Sequence, residues 1–293
     1  MPTFEKPNVT YTTVKILRDR IIEVIDGDTK LLFVGGPPGI AKTTMYDELM
    51  RDHYTREEAK WRQLPHHLRT EANTEKDDFG IDRFRNPTSA AGDGRCTPRS
   101  LYMHMYEHSS HGDIIVVDDP GGLENKETQG ILMQASDRVR QFGVKWEVST
   151  KLGKWVGEEF VLFPKHFNFW GGLIVITNLS EEEYETQISE ALRSRAKPLF
   201  FTWDYWDVRD YVHTLAFKDE GTIRILQSFE SGIDKAKAMV MLLEIRDFVI
   251  EHDAVPDLRL FYHITYDRWK YPHDWRERAL KIVNSWRTKL KRY

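Results

Sequence analysis

The sequence predicts an α/β fold built on a parallel sheet, followed by a helical C-terminal region. Three apolar runs carry that reading, and each ends in a polar or charged group. Residues 30–34 lead into Gly35-Gly36-Pro37-Pro38-Gly39-Ile40-Ala41-Lys42-Thr43-Thr44, residues 113–117 into Asp118-Asp119-Pro120, and residues 171–176 into Thr177-Asn178. Short β-branched runs of this kind suit strands buried on both faces, and ligands collect at the carboxyl ends of parallel strands.

Residues 1–10 read as a loose arm. Residues 12–25 place Val14, Ile16, Leu17, Ile21, Ile22, Val24 and Ile25 at helical spacing and close on Asp26-Gly27-Asp28. That helix feeds the first strand, whose glycine-rich turn meets the G-x-x-x-x-G-K-[ST] template except that Ala41 replaces the second glycine. Backbone N–H groups from Gly36 to Thr44 would converge on an anion at a helix start. Lys42 would reach the outer phosphates of ATP and Thr43 would ligate Mg²⁺. Ala41 is compatible with this only at negative φ, because a Cβ is costly at positive φ. The plain alternative is a Gly-Pro turn between a core strand and a helix.

Residues 52–79 are polar and charged, include His66-His67, and show no clear strand; they read as a helical excursion or insertion. A weak strand at 81–84 leads to a small-residue, glycine-containing segment, 86–95, that reads as a flexible loop. A helix over 99–109 follows. His104 and His108 fall at i and i+4 on it, but no acidic or thiol ligand shares the pattern, so a histidine pair is preferred to a zinc site. In the next strand Asp118 would hold the Mg²⁺ shell and Asp119 would orient or deprotonate the attacking water. A solvated Asp-Asp-Pro turn is the rival, and the better one if this strand is taken alone.

A crossover helix is expected over 130–140. Residues 144–148 and 159–163 then read as two alternating strands around Thr150-Lys151-Leu152-Gly153-Lys154-Trp155, a β-hairpin. The third strand presents Asn178 between the γ-phosphate and the water; its alternative is a turn-forming asparagine. Three such strand ends in this order are much rarer by chance than any one of them.

Composition agrees. The chain of 293 residues is 40% hydrophobic and 30% charged, enough for one large domain or two smaller ones. A single cysteine, Cys96, precludes an intrachain disulfide and a zinc-thiolate site and fits a reducing compartment. No apolar stretch has the length of a membrane span and no signal-peptide core is seen, so a cytoplasmic location, host cytoplasm for a phage-encoded protein, is the default expectation. A net charge of -4 leaves nucleic-acid contact to local basic patches.

With these motifs the chain resembles the AAA+ branch of P-loop ATPases. After Asn178 come Glu181-Glu182-Glu183-Tyr184-Glu185, then Ile188-Ser189-Glu190-Ala191-Leu192-Arg193-Ser194-Arg195-Ala196, then an apolar strand at 199–203. The middle segment looks like the A-x-x-S-R helix of clamp-loader-like members, which implies that Arg195 is an arginine finger reaching a neighbouring subunit's ATP. Arg193 is expected instead in a surface ion pair with a nearby glutamate. Within the superfamily the chain is similar to small single-module ATPases of tailed bacteriophages, through residues 97–108, Phe167-Asn168-Phe169-Trp170-Gly171-Gly172 and residues 191–196. The superfamily motifs lie within residues 12–203, and Ala41 and Asp119 are the departures.

The resemblance implies two domains: an ATP-binding core over 1–203, with the insertion and the hairpin, and a helical lid over 204–293. Aromatic content and periodicity place lid helices near 205–216, 234–251, 257–269 and 273–290. Arg259, in the first turn after Pro256-Asp257, is the lid arginine expected on the γ-phosphate; a surface pair with Asp253 or Asp257 is its rival. In ring ATPases the 86–95 segment can face the channel, making Arg83, Arg85, Arg95 and Arg99 candidate DNA contacts; a solvated loop with scattered charge is the equal alternative. Some nucleic-acid translocases use a hairpin before the asparagine strand to hold the moving strand. Lys151 and Lys154 offer charge here and Trp155 a stacking ring. A padding or subunit-contact role for the hairpin is the alternative. The basic end, Arg287, Lys289, Lys291 and Arg292, is either a nucleic-acid contact or a solvated tail.

The expected function is Mg²⁺-dependent ATP hydrolysis by a homo-oligomeric ring or spiral, such as a hexamer. It would act in a phage or plasmid DNA transaction (replication, recombination or repair) as a helicase-like motor or loader, with DNA and a replication protein as partners and no membrane. The alternatives are an ATP-gated scaffold that remodels protein, which favours apolar pore residues over basic ones, and a nucleotide-binding module that has lost hydrolysis at Asp119.

Overall fold

The computed structural model describes residues 9–36, 38, 42–65, 74–76, 82–84, 88–93, 97–118, 120, 122–137, 143–147, 152–202, 226, 229, 233–252 and 258–290. Two compact units emerge: residues 13–37 with 42–201, and residues 202–293 with 1–12 and 38–41.

The first unit is an α/β fold. In chain order it contains α1 (Val9–Ile25), β1 (Leu31–Gly35), α2 (Lys42–Gln63), β2 (Thr74–Lys76), β3 (Asp82–Phe84), β4 (Thr88–Asp93), α3 (Pro98–Glu107), β5 (Ile114–Asp118) and α4 (Lys126–Ala135). Then follow β6 (Gly143–Lys145), β7 (Gly153–Val156), β8 (Glu159–Leu162), β9 (His166–Asn168), β10 (Gly172–Ile176), α5 (Glu181–Gln187), α6 (Glu190–Arg193) and β11 (Lys197–Phe200).

Five strands form one parallel sheet in the order β11-β1-β10-β5-β4. The order puts β10 between the strand that enters the glycine-rich turn and the strand that ends at Asp118. Side chains alternate across it. Leu31, Phe33, Ile115, Val117, Leu173 and Val175 share a core with Tyr102 and Met105 of α3, Ile131 and Leu132 of α4, and Tyr184 and Leu192. The opposite set, Leu32, Val34, Ile114, Val116, Ile174 and Ile176, is also buried. On that side Gly172 meets α1 so closely that a Cβ would lie 2.4 Å from Val24. Each such Leu, Ile, Val or Phe contributes about 1.5–3 kcal/mol by burial, which is why the apolar runs of the sequence become central strands.

Short polar devices close the helices. Thr97 caps α3, accepting from the Ser100 N–H, and Pro98 occupies the first turn. Ser180 and Glu183 form a reciprocal capping box on α5, directly after the Asn178 strand. The Ser180 N–H donates to the Glu183 carboxylate at 2.8 Å while its hydroxyl accepts from the Glu183 N–H at 3.2 Å, and hydrogen bonding from Ser180, its backbone N–H first, holds the Glu183 carboxyl below its usual range.

Three expectations are corrected. Segment 86–95 is not simply a loop, because Thr88–Asp93 is the edge strand beside β5, with a register shift between Ala90 and Asp93. Its Thr-Ser-Ala-Ala-Gly-Asp sequence lacks β propensity, and pairing with β5 alone makes it a strand. The polar region after the glycine-rich turn continues α2 to Gln63 and contains a strand, Thr74–Lys76, antiparallel to Asp82–Phe84. The single hairpin expected over 144–163 is two nested pairs. β6 pairs with β9, and the ribbon proper is β7 with β8, turning at Gly157-Glu158. Lys154 and Trp155 therefore lie on a strand and not at a tip.

In the second unit, α7 (Lys235–Glu251), α8 (Leu258–Lys270) and α9 (Trp275–Leu290) match the helices read from periodicity. They pack through Ile245, Phe248 and Val249, Leu260, Phe261 and Ile264, and Trp275, Ala279 and Val283. A smaller cluster joins Leu226, Ile233, Ala238 and Met241, with Phe229 stacked on Trp269. The helix read at 205–216 lies outside the described residues. None of the described helices is long and apolar enough to cross a membrane.

Candidate nucleotide site at the carboxyl end of the sheet

The glycine-rich turn departs from a fixed base. The Gly36 N–H donates to the Leu179 carbonyl at 3.1 Å, the Thr177 N–H to Val34 at 2.9 Å and the Phe201 N–H to Gly35 at 2.9 Å. The ends of β10 and β11 thus clamp the end of β1. Gly36 has φ +138° and leaves no room for a Cβ, which would lie 2.9 Å from the Phe201 Cβ. Glycine is required there by conformation and by space.

Four sequence-predicted residues come together on this base. Lys42, buried at the first position of α2, donates from Nζ to the Gly36 carbonyl at 2.8 Å and to Asn178 Oδ1 at 3.1 Å. Thr43 Oγ1 donates to Asp118 Oδ2 at 2.9 Å. A cation and a hydroxyl from α2, a carboxylate from β5 and an amide from the turn after β10 therefore meet at the carboxyl ends of β1, β5 and β10. With the sheet order, this is the P-loop α/β arrangement that the three strand ends predicted.

The hydroxyl and carboxylate are hard oxygen donors on one spot, which fits Mg²⁺. One turn along α2, burial and the nearby charge of Asp118 push the Asp47 carboxyl above its usual range, while Arg51 pulls it down. Tyr46, behind it, has a buried hydroxyl without a hydrogen-bond partner, and burial keeps it protonated. Asp47 was not singled out from sequence, because only the fold brings it near Asp118.

Other predicted residues fall elsewhere. Pro37, Gly39, Ile40, Ala41 and Asp119 lie outside the described residues, as do the side chains of Thr44 and Arg259; Pro38 sits in the exposed turn. Arg259 is the second residue of α8. Arg85, Arg95, Lys151, Lys291 and Arg292 are also outside, and Arg99 is exposed in the first turn of α3. Lys154 is ion-paired with Glu107, and Trp155 is 69% exposed. The His104 and His108 rings stand 5.2 Å apart. Among the described residues no three His, Cys, Asp or Glu side chains form a metal cluster.

Arg195 lies at the opposite end of the sheet. It precedes β11, whose Lys197 pairs in register with Leu32 at the start of β1, so roughly the length of β1 separates it from Gly36. For the 5 residues of that strand this is about 17 Å. Its Nη1 donates to the Ala191 carbonyl and its Nη2 pairs with Asp137 Oδ2 at 3.4 Å. It lines a groove of about 540 Å³ with Lys30, Ser136, Asp137, Ser194 and Lys197. The roles expected for the two arginines are exchanged in one respect. Arg195 holds the ion pair, whereas Arg193 is half-buried, its Nε without a hydrogen-bond partner and its charge acting on Tyr184.

Sequence reasoning also missed Gln129. Buried in α4, its amide donates to the carbonyls of Leu123 and Gln187 at 2.8 Å each, and its Oε1 accepts from the Ser189 N–H at 2.9 Å. It ties α4 to the junction of α5 and α6, which carries Arg195. A glutamine on an amphipathic helix gives no sequence signal of this.

No protein-family model matches the chain, and no curated protein does. Among solved structures it is similar to NtrX from Brucella abortus in complex with ATP, at 13% identity and TM-score 0.45, over 91% of this chain and 51% of that one. It is also similar to the ADP complex of the same protein, at 12% identity and TM-score 0.36, over 95% and 50%. The chain spans about half the length of these structures. At such scores the likeness bears on no residue role.

Proposed function

We propose that this chain is a Mg²⁺-dependent ATP hydrolase of the AAA+ type that works as a homo-oligomeric ring or spiral, with α7–α9 as its lid. The observation that carries the reading is the convergence of Lys42, Asn178, Thr43 and Asp118 on the base set by Gly36. Thr43 and Asp118 would hold Mg²⁺, which supplies charge neutralisation to the phosphates. Lys42 exchanges its Gly36 and Asn178 acceptors for phosphate oxygens, Asn178 is freed to orient water, and Asp119 takes the water's proton. Arg259 is the arginine proposed for the γ-phosphate.

Arg195 serves a neighbouring subunit. About 17 Å is beyond the reach of an arginine side chain, so a nucleotide that it touches belongs to another copy. A trans-acting arginine neutralises charge on the transferred phosphoryl group.

The finer proposal is a DNA transaction in phage or plasmid replication, recombination or repair, as motor or loader, in the cytoplasm. A second reading, ATP-gated remodelling of a protein partner, is favoured by one observation: the β7–β8 ribbon exposes apolar side chains while Lys154 is already paired with Glu107. Steady-state ATP turnover across protein concentration, with and without single- and double-stranded DNA and with Lys42→Ala as blank, tests both. Turnover that rises cooperatively with concentration and jumps with DNA supports the motor. Indifference to DNA supports remodelling, and no turnover under any condition leaves a nucleotide-binding scaffold.

A further inference from the structure

Charge at the α6 turn is unevenly matched. The half-buried arginines among the described residues are Arg20, Arg193, Arg195 and Arg268. Arg20 holds Glu23, Arg195 holds Asp137 and Arg268 holds Glu244. Arg193 holds no acceptor among the described residues, and its Nε is buried without a hydrogen-bond partner. The neighbouring phenol does not repair this. Burial pushes the Tyr184 hydroxyl up to about 12 and the charge of Arg193 only partly offsets the rise, so Tyr184 stays neutral and supplies no counter-charge. A half-buried cation without an acceptor weakens the fold that holds it, and an uncharged side chain of similar length would pack there at less cost.

The mount is fixed. The Arg193 N–H donates to the Ser189 carbonyl at 3.0 Å, and the Ser189 N–H donates to the buried Gln129 at 2.9 Å. Leu192, beside it, is fully buried in the main core. From α6 the chain enters β11, which stands at one end of the sheet, and Tyr184 meets Phe33 of β1 and Phe200 of β11 edge to face. Arg193 therefore belongs to the flank of the sheet at β11. Two residues of chain keep its Cα within about 7 Å of that of Arg195, although it does not line the Arg195 groove.

Resting on the reading that Arg195 serves a neighbouring subunit, we propose that Arg193 is a second arginine given to that copy. Its guanidinium takes an oxyanion there, either a phosphate of the bound nucleotide or a carboxylate of the chain. Both present the paired oxygens that match the guanidinium fork. Arg195 must share or leave Asp137 to act, whereas Arg193 breaks no ion pair and brings its full charge to the contact.

Sedimentation velocity of wild type and Arg193→Met, with and without ATP and Mg²⁺, tests this. The variant should need about tenfold more protein or higher to assemble, the loss expected for one charge-assisted bond. A defect seen only with nucleotide names the phosphate as acceptor, and the same defect without nucleotide names the carboxylate. Diluted below assembly, Arg193→Met should unfold at a higher denaturant midpoint than wild type, because an unmatched charge is gone. Mixtures give the direction, assayed near the concentration at which wild type assembles. Arg193→Ala with Lys42→Ala should regain roughly a quarter of wild-type turnover. Arg193→Ala with Arg195→Ala should exceed neither parent, because both lesions lie on the same donating surface. Arg193→Met that assembles like wild type overturns the inference. So does a lower midpoint for the diluted variant, recovery of a quarter of the rate in the two-arginine mixture, or weaker binding of a single-stranded oligonucleotide with assembly unchanged. A wild type that neither assembles nor hydrolyses ATP sinks the ATPase reading itself; one that does both while Arg193 variants match it sinks this inference alone.

Discussion

The two ends of the parallel sheet are built from the same strands and differ in what they complete. At the carboxyl end the chain assembles a whole constellation: a buried lysine bonded to a backbone carbonyl and an amide, beside a hydroxyl bonded to a carboxylate. At the amino end Arg195 has only its own chain's anchors, Ala191 and Asp137, and faces an open groove. One end is a site lacking a ligand-side cation from elsewhere; the other is such a cation lacking a site. On the function proposed above, the difference means that the work is divided between copies, and that division can be broken experimentally.

The largest effect expected is at Arg195. Arg195→Ala should lower turnover by on the order of 10³ while ATP binding, followed by calorimetry, stays nearly intact. An equimolar mixture of Arg195→Ala and Lys42→Ala chains should regain roughly a quarter of wild-type turnover, the share of random interfaces that join an intact site to an intact arginine. A mixture as inactive as its parts would mean that the two ends do not meet across copies.

A smaller effect is expected at Gln129, which links the segment after β5 to the α5–α6 junction. Gln129→Ala removes three hydrogen bonds, two at the α5–α6 junction and one to Leu123 ahead of α4. It should cost about 1–3 kcal/mol in chemical denaturation, since buried backbone groups are left unpaired. It should also lower turnover more than ATP affinity. Equal losses in both would place Gln129 in general stability alone.

The smallest effect lies at the carboxyl end. Burial and Asp118 raise the Asp47 carboxyl above 3.8, so the folded chain is penalised when that group is ionised. Asp47→Asn should therefore raise the melting temperature in metal-free buffer at pH 7, by about 1–2 °C. The gain should shrink as pH falls through the raised folded value and vanish below 3.8, where the carboxyl is protonated in the folded and unfolded chain alike. A gain that persists in acid would assign it to packing.

The carboxyl end was legible in the sequence because its residues stand beside their strands in the chain: Lys42 and Thr43 after β1, Asp118 ending β5, Asn178 after β10. The amino end was legible only in Arg195, through resemblance. Gln129 lies in α4 and Asp137 just past its end, far from Arg195 in the chain, and nothing local marks them. The ribbon's pairing was misread because 144–148 and 159–163 alternate as well as 153–156 and 159–162 do, and alternation does not choose a register. β4 escaped because small residues and a glycine make a strand only when a neighbour pairs with them.

The hydrogen bond between Phe163 and Leu152 has a consequence for engineering. The residues that bracket the ribbon already touch, so the chain could be closed there by a short turn, or opened to a foreign insert with matching ends, at little cost in loop entropy. The ribbon is thus a socketed part: it can be excised, swapped between relatives or replaced by a reporter peptide while the five-stranded sheet keeps its shape.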